Sequence, residues 1–242
     1  MYEVLMSALQ ETGADIAVCS RQHDSEDSMP TKNDIIFPPK KLYSPKEALK
    51  KIISGGHFIR NTVWNKLYKR SIISNIHFPE RKIYEDILWM PQVISQSKLL
   101  VCMDYPLYHY HPRPESLCHN DAQLIKKIHD KIEMIEQRTE YISKHYPILR
   151  NFAILKLKNA YCNEYIRISI TNHQQDTNDE IQHELQRKFL QCKPDNIFVF
   201  DGVITAFERI IFRISPILLV NTYIFLQKTI QRVWKKNSLI TT

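Results

Sequence analysis

Along residues 1–12 the apolar positions Leu5, Ala8 and Leu9 fall three and four apart, the spacing of one helical face, and the pattern stops at Gly13. The next run, Asp15-Ile16-Ala17-Val18-Cys19-Ser20, is apolar and of strand length, so a helix feeds straight into a buried strand. That is the grammar of an α/β fold. Polar residues and three prolines predict a loop over 21–39, with Ile35-Ile36-Phe37 as a candidate edge strand. Ser44-Pro45-Lys46-Glu47 supplies the N-cap, the first-turn proline and the N3 glutamate of a helix that ends at Gly55-Gly56. Another helix opens at Ile83-Tyr84-Glu85-Asp86 and runs to about Ser97, its two acids placed where a helix N-terminus favours negative charge. Leu99–Met103 and Leu107–His111 read as two strands separated by Asp104-Tyr105-Pro106. From Asp121 the period becomes helical almost throughout: roughly 121–144, 147–170, 177–191, 202–214 and 216–236.

This pattern predicts an α/β part over 1–120, a mixed sheet with flanking helices, followed by an all-helical part. The helical part divides into an extension over 121–201 and a tail over 202–242. At 242 residues the chain can bury a sizeable core without metal or disulfide staples. Five cysteines, odd in number and without a CxxC, point to reduced thiols and a cytoplasmic protein. Residues 1–20 lack the basic start and continuous apolar stretch of a signal peptide. Four glycines, none at phosphate-loop spacing, argue against dinucleotide and P-loop sites.

Charge changes the picture at one end. Of the formal net +7, residues 203–242 contribute most, with six basic residues against one acid, Glu208. Within 216–236 the apolar Ile217, Leu218, Val220, Ile224, Phe225 and Val233 accompany a polar face of Asn221, Lys228, Arg232 and Lys235. Such a helix suits an anionic membrane surface, where apolar burial and lipid attraction add. The apolar stretch 210–226 is interrupted by Arg213, Pro216 and Asn221 and is short for a bilayer span. Positive charge gathered on an apolar tail, rather than interleaved with exposed aromatics along a groove, argues against a nucleic-acid binder.

Three places carry candidate chemistry. Glu85-Asp86 offers a carboxylate that can act as a general base or simply cap a helix. His109 and His111 share one strand face, near Cys118 and His119, but a third ligand at metal-site spacing is missing, and incidental histidines explain them equally. Trp64-Asn65-Lys66 is either a core-rim aromatic beside short polar residues or a sugar platform. Arg113 and Ser116 form a donor pair in a proline-rich loop, suited to a phosphate.

Taken in order, the opening helix with Ala14–Cys19, then Trp64-Asn65-Lys66-Leu67-Tyr68-Lys69-Arg70, then Tyr84-Glu85-Asp86 and its helix resemble the second half of a family 2 glycosyltransferase of the GT-A fold. Such enzymes build bacterial capsule, exopolysaccharide or teichoic-acid sugars. Tyr108 through Leu117 is similar to that family's aromatic strand followed by an Arg and a Ser-Leu pair. The resemblance spans about residues 1–120. It implies Asp86 as the base that deprotonates the acceptor hydroxyl, Glu85 beside it in the acceptor site, and Trp64, Asn65 and Lys66 bordering the sugar cleft. Arg113 and Ser116 would close over the donor diphosphate. It also implies a nucleotide-sugar donor, a glycan or lipid-linked acceptor, and a divalent cation, manganese or magnesium, whose Asp-rich ligand motif this sequence does not contain. The resemblance therefore suggests a truncated or split glycosyltransferase of hexosyltransferase type at the inner face of the plasma membrane, inverting, and a poor catalyst alone. The rival is a non-catalytic remnant acting as a membrane-associated interaction protein.

Overall fold

The computed structural model describes residues 1–23, 39–55, 59–111, 123–171, 179–193 and 203–225. Helix α1, Tyr2–Thr12, buries Leu5, Ala8 and Leu9 and ends at Gly13. Gly13 takes φ 69°, a left-handed conformation that glycine adopts without strain. The chain then enters β1, Ile16–His23, followed by β2, Lys41–Tyr43, and α2, Pro45–Ser54. Ser44 and Glu47 close a capping box at the start of α2, as the sequence predicts. After β3, Lys66–Tyr68, come α3, Asp86–Gln96, and β4, Leu100–Tyr110.

These strands form one mixed sheet in the order β2-β4-β1-β3. The central pair β1 and β4 is parallel, and each edge strand is antiparallel to its neighbour. On one face Ala17, Cys19, Val101 and Met103 pack with Leu5, Ala8 and Leu9 of α1. By alternation Ile16, Val18, Leu100 and Cys102 turn to the other face, where all four are wholly buried. Both faces of the central strands are therefore covered, which explains their unbroken apolar runs.

The two predicted strands over 99–111 are one. Cys19 pairs with Met103, but Ser20 pairs with Pro106 and Arg21 with Tyr108, so the register shifts twice in succession. Asp104 and Tyr105, then Leu107, are the extra residues on β4, and this bulged stretch lets Pro106 sit in a strand without its missing N–H breaking the sheet. The Ser20 hydroxyl donates to Asp104 Oδ1 at 2.5 Å across this point. The strand candidate at 35–37 lies outside the described residues.

By packing, the chain forms two compact units, Met1–Leu149 and Arg150–Thr242, whereas the sequence pattern changes near residue 120. The first unit includes α4, Leu124–His145, which packs on α3. The second contains α5, Arg150–Thr171, α6, Asp179–Gln191, α7, Val203–Ile214, and a helical stretch over 216–225. Within it Phe212 is wholly buried, edge-on to Tyr165 at 5.0 Å and Phe189 at 4.9 Å. Lys158 donates to the carbonyls of Phe189 and Cys192, both at 2.9 Å, closing the end of α6 with a cation where the dipole favours one.

Candidate active site

The segment 59–68 is built around two buried polar side chains. Asn65 Nδ2 donates to the Cys19 carbonyl at 2.5 Å, while Cys19 N–H donates to the Asn65 carbonyl at 3.1 Å, fastening the approach to β3 onto β1. Lys66 is 4% exposed, and its ammonium donates to the Arg60 carbonyl at 3.0 Å, to Asn65 Oδ1 at 3.0 Å and to the Thr62 carbonyl. Burial pulls the Lys66 ammonium down to about 7, against the opposing pull of Cys102, Asp86 and Cys19. Asn65 and Lys66 thus hold the chain itself, and their polar atoms bond inward.

Strand alternation sends Leu67 to the α1 face and Lys66 with Tyr68 to the opposite one, where α3 lies. Trp89 of α3 meets Tyr68 edge-on at 5.6 Å, stacks on Phe78 at 4.5 Å, and donates from its indole to the Ile76 carbonyl at 3.1 Å. This aromatic seam fixes α3 against the sheet, and Asp86 stands at its first turn.

The loop leading into α3 is strained. Arg81 and Tyr84 take φ of 57° and 65°, the only non-glycine residues with positive φ among those described. A bulky aromatic rarely adopts this region unless its surroundings impose it. Helix α4 supplies the constraint: Asp130 accepts from Lys82 at 3.3 Å, from the Ile83 N–H at 3.1 Å and from Lys126. Lys126 also donates to the Arg81 carbonyl at 3.3 Å, and Lys131 lies 5.9 Å from the Tyr84 ring centre.

Out of this loop come Glu85 and Asp86. The Glu85 side chain makes no cap hydrogen bond, whereas backbone N–H groups of the first turn, those of Ile87 and of Asp86 itself, favour the ionised Asp86 carboxylate. Burial raises the Asp86 carboxyl above the ordinary aspartate range, and Glu85 adds to the effect, while Lys66 and the Ile87 N–H oppose it. A half-buried carboxylate with raised basicity is equipped to accept a proton.

Trp64 belongs to a different grouping. Its ring lies 4.2 Å from Tyr108 and 5.7 Å from Tyr110, and the Arg21 guanidinium sits 5.8 Å from Trp64 and 5.1 Å from Tyr110. These residues stand toward the C-terminal ends of the parallel strands β1 and β4, the edge of a parallel sheet where ligands are usually received. His109 and His111 are exposed at the end of β4. Arg113 and Ser116, with Cys118 and His119, lie outside the described residues. Among the described residues no three His, Cys, Asp or Glu side chains converge as a metal ion requires.

No family model matches the chain. Nor does any curated protein match it at a significant level. The reading of the site therefore rests on its own residues and geometry.

Sequence reasoning did not single out Arg138 of α4, which is 7% exposed and whose Nε has no hydrogen-bond partner. A signal was present: Arg138 falls in phase with the apolar Ile128, Ile135 and Ile142, where a solvated charge does not belong.

Proposed function

We propose that this chain forms the acceptor side of a family 2 glycosyltransferase of GT-A type, with Asp86 as the base that activates the acceptor hydroxyl. The observation that carries this reading is the placement of Asp86: at the start of α3, half-buried, raised in basicity, and presented by a loop whose backbone is held in a strained conformation. A capping carboxylate on a solvated helix end needs none of these features.

On this reading the acceptor oxygen loses its proton to Asp86 as it attacks the anomeric carbon of the nucleotide-sugar. The bond to the diphosphate breaks on the opposite face, and the configuration inverts. Glu85 would meet acceptor hydroxyls, and the Trp64, Tyr108 and Tyr110 rings would border the cleft. Arg113 and Ser116 would meet the donor diphosphate, and the divalent cation used by such enzymes would be held by the donor-binding half. The edge position of the aromatic cluster supports the placement of the cleft, and the buried bonding of Asn65 and Lys66 makes them its foundation rather than its lining.

The tail supports a peripheral place at an anionic membrane, the inner face of the plasma membrane. In α7 and the helical stretch after it Phe207, Ile210, Ile214 and Ile217 are 61%, 56%, 76% and 69% exposed, a stripe at spacings of three and four. Among the described residues no helix is long and apolar enough to cross a membrane.

The test joins the donor-binding half of a family 2 glycosyltransferase ahead of Met1 and follows sugar transfer from its UDP-sugar in the presence of manganese. Transfer that Asp86→Asn reduces by roughly 100-fold to 10,000-fold, the usual worth of a positioned base, supports the proposal. Transfer unaffected by Asp86→Asn overturns it.

A further inference from the structure

Three segments bring side chains to the C-terminal edge of the parallel pair β1 and β4. Arg21 comes from β1, Trp64 from the approach to β3, and Tyr108 with Tyr110 from the far end of β4. The Arg21 backbone pairs with Tyr108, yet its guanidinium lies over Tyr110, two residues further on, at 5.1 Å from the ring centre. Its side chain therefore runs along the strand toward that edge. The guanidinium is 5.8 Å from the Trp64 ring, which is itself packed against Tyr108 at 4.2 Å and stacked on Tyr110 at 5.7 Å. All four residues are half-buried.

A guanidinium held against aromatic faces keeps its N–H groups in one plane, where they fit two oxygens of a single oxyanion. Among the described residues no carboxylate bonds to Arg21. Asp104, at the bulge in β4, instead accepts from the Ser20 hydroxyl at 2.5 Å. Apolar side chains cover aromatic rings as well as arginine does, so the charge is what Arg21 adds. The half-buried rings beside it keep part of their surface for the C–H face of a pyranose, which packs on aromatic faces by apolar burial and dispersion. A fork for an oxyanion next to a platform for a sugar ring is the chemistry that separates an acidic sugar from a neutral one.

We propose that Arg21, Trp64 and Tyr110 form a subsite for an acidic sugar of the acceptor, the guanidinium taking its carboxylate or phosphate and the rings its pyranose face. The inference rests on the reading of this edge as the acceptor cleft. Arg21 is then a specificity-determining residue. A charge-assisted contact of this kind separates an acidic sugar from its neutral counterpart by about 10-fold to 100-fold in affinity. Lysine in its place keeps the charge and loses the planar fork.

The experiment titrates the full chain, labelled with nitrogen-15, and follows the Trp64 indole N–H, assigned as the resonance that Trp64→Phe removes. The probes are short oligomers of galacturonate, glucuronate and mannuronate, the carboxyl-reduced neutral form of each, glucose 6-phosphate with neutral glucose, and inorganic phosphate. An acidic probe binds about 10-fold to 100-fold more tightly than its neutral counterpart, Arg21→Gln removes that preference, and Arg21→Lys restores only part of it. Should Arg21→Gln fail to fold, Arg21→Met carries the same comparison. Tighter binding of a uronate than of glucose 6-phosphate assigns the oxyanion as a carboxylate, and the reverse order assigns it as a phosphate. Acidic probes that bind no better than their neutral forms overturn the proposal, as does a preference that survives Arg21→Gln. Inorganic phosphate that binds as tightly as every acidic sugar overturns it too, leaving a site for anions alone. This readout needs no donor and no transfer. Failure of the glycosyltransferase reading would appear instead as a fused enzyme whose transfer ignores Asp86, with the preference for acidic sugars intact.

Discussion

Asp86 and Lys66 depart from their ordinary behaviour in opposite directions, and the sign of each sets a separate dependence on pH. The folded chain binds the Asp86 proton more tightly than the unfolded chain does, because burial raises this carboxyl. Stability contributed by the protonated form is present at low pH and is lost as pH climbs through the acid window in which Asp86 ionises. Asp86→Asn lacks that loss. We therefore expect the variant to melt as high as the parent at neutral pH or higher, while transfer by the fused enzyme collapses. A drop in melting temperature on making Asp86→Asn would show that the carboxylate is a structural ion-pair partner instead. For Lys66 the unfolded chain holds the proton up to about 10.5 and the folded chain releases it near about 7. Between those values the unfolded state binds more protons, so stability rises with pH, by at most about 1.4 kcal/mol per unit. The clean window is pH 7 to 9, because above it the buried Cys19 and Cys102 thiols, raised to about 11 and about 12, pull the other way. Urea midpoints measured across that window should rise in the parent and stay level in Lys66→Met, and a rise of equal slope in both would remove Lys66 as its source.

Elements differ in how openly the sequence announces them, and the tripeptide Lys-Leu-Tyr shows why. It forms both β2 and β3, yet Lys41 is exposed and Lys66 is buried. Three residues are too few for a period, and which lysine goes inside depends on Asn65, Thr62 and Arg60 offering it oxygens, a fact of tertiary structure. Neither strand was legible for that reason. Helices α1 to α3 were, because Gly13, the Ser44 capping box and the Glu85-Asp86 start mark their ends locally. Of the candidate site, Glu85-Asp86 and the Trp64 block stand out in the sequence, whereas the strained loop ahead of them emerges only when α4 packs on α3. Asp130 is where α4 grips that loop. Burial acts to raise its carboxyl, but Lys126, the Ile83 N–H and Lys82 outweigh it, so its stabilisation is present at neutral pH and is lost as pH falls through its lowered value. Asp130→Ala should cost about 2 kcal/mol, given charge-assisted hydrogen bonds discounted for the exposure of both lysines. Amide exchange gives the sharper check: the Ile83 N–H should become one of the faster-exchanging amides of the first unit. If it stays protected in Asp130→Ala, the loop is held by something other than α4.

At the scale of the whole molecule, the second unit turns one side of α7 inward through Phe212 and leaves the other to solvent. The apolar residues that the sequence assigns to membrane contact divide accordingly, for Val220 is 8% exposed while Ile217 and Leu218 are 69% and 53% exposed. The outward stripe is therefore Phe207, Ile210, Ile214 and Ile217. Basic residues accompany it: Arg213 is exposed on α7, and Lys228, Arg232, Lys235 and Lys236 follow in sequence beyond the described residues. Magnitudes decide which force dominates. Each basic residue near an anionic surface contributes about 1 kcal/mol, and each fully buried isoleucine about 1.5 to 3 kcal/mol. With four apolar side chains against a handful of screened charges, the apolar stripe supplies the larger share. Vesicles containing anionic phosphatidylglycerol should thus retain the protein, with binding weakened but not abolished by half-molar salt. Ile210→Glu with Ile214→Glu should reduce partitioning by on the order of 100-fold, since losing about 3 kcal/mol of apolar burial corresponds to that factor. Circular dichroism of the double variant should be unchanged, because both positions face solvent in the folded chain. Retention of the double variant on vesicles at the parent level would show that charge alone recruits the chain, and loss of all binding in salt would show the same.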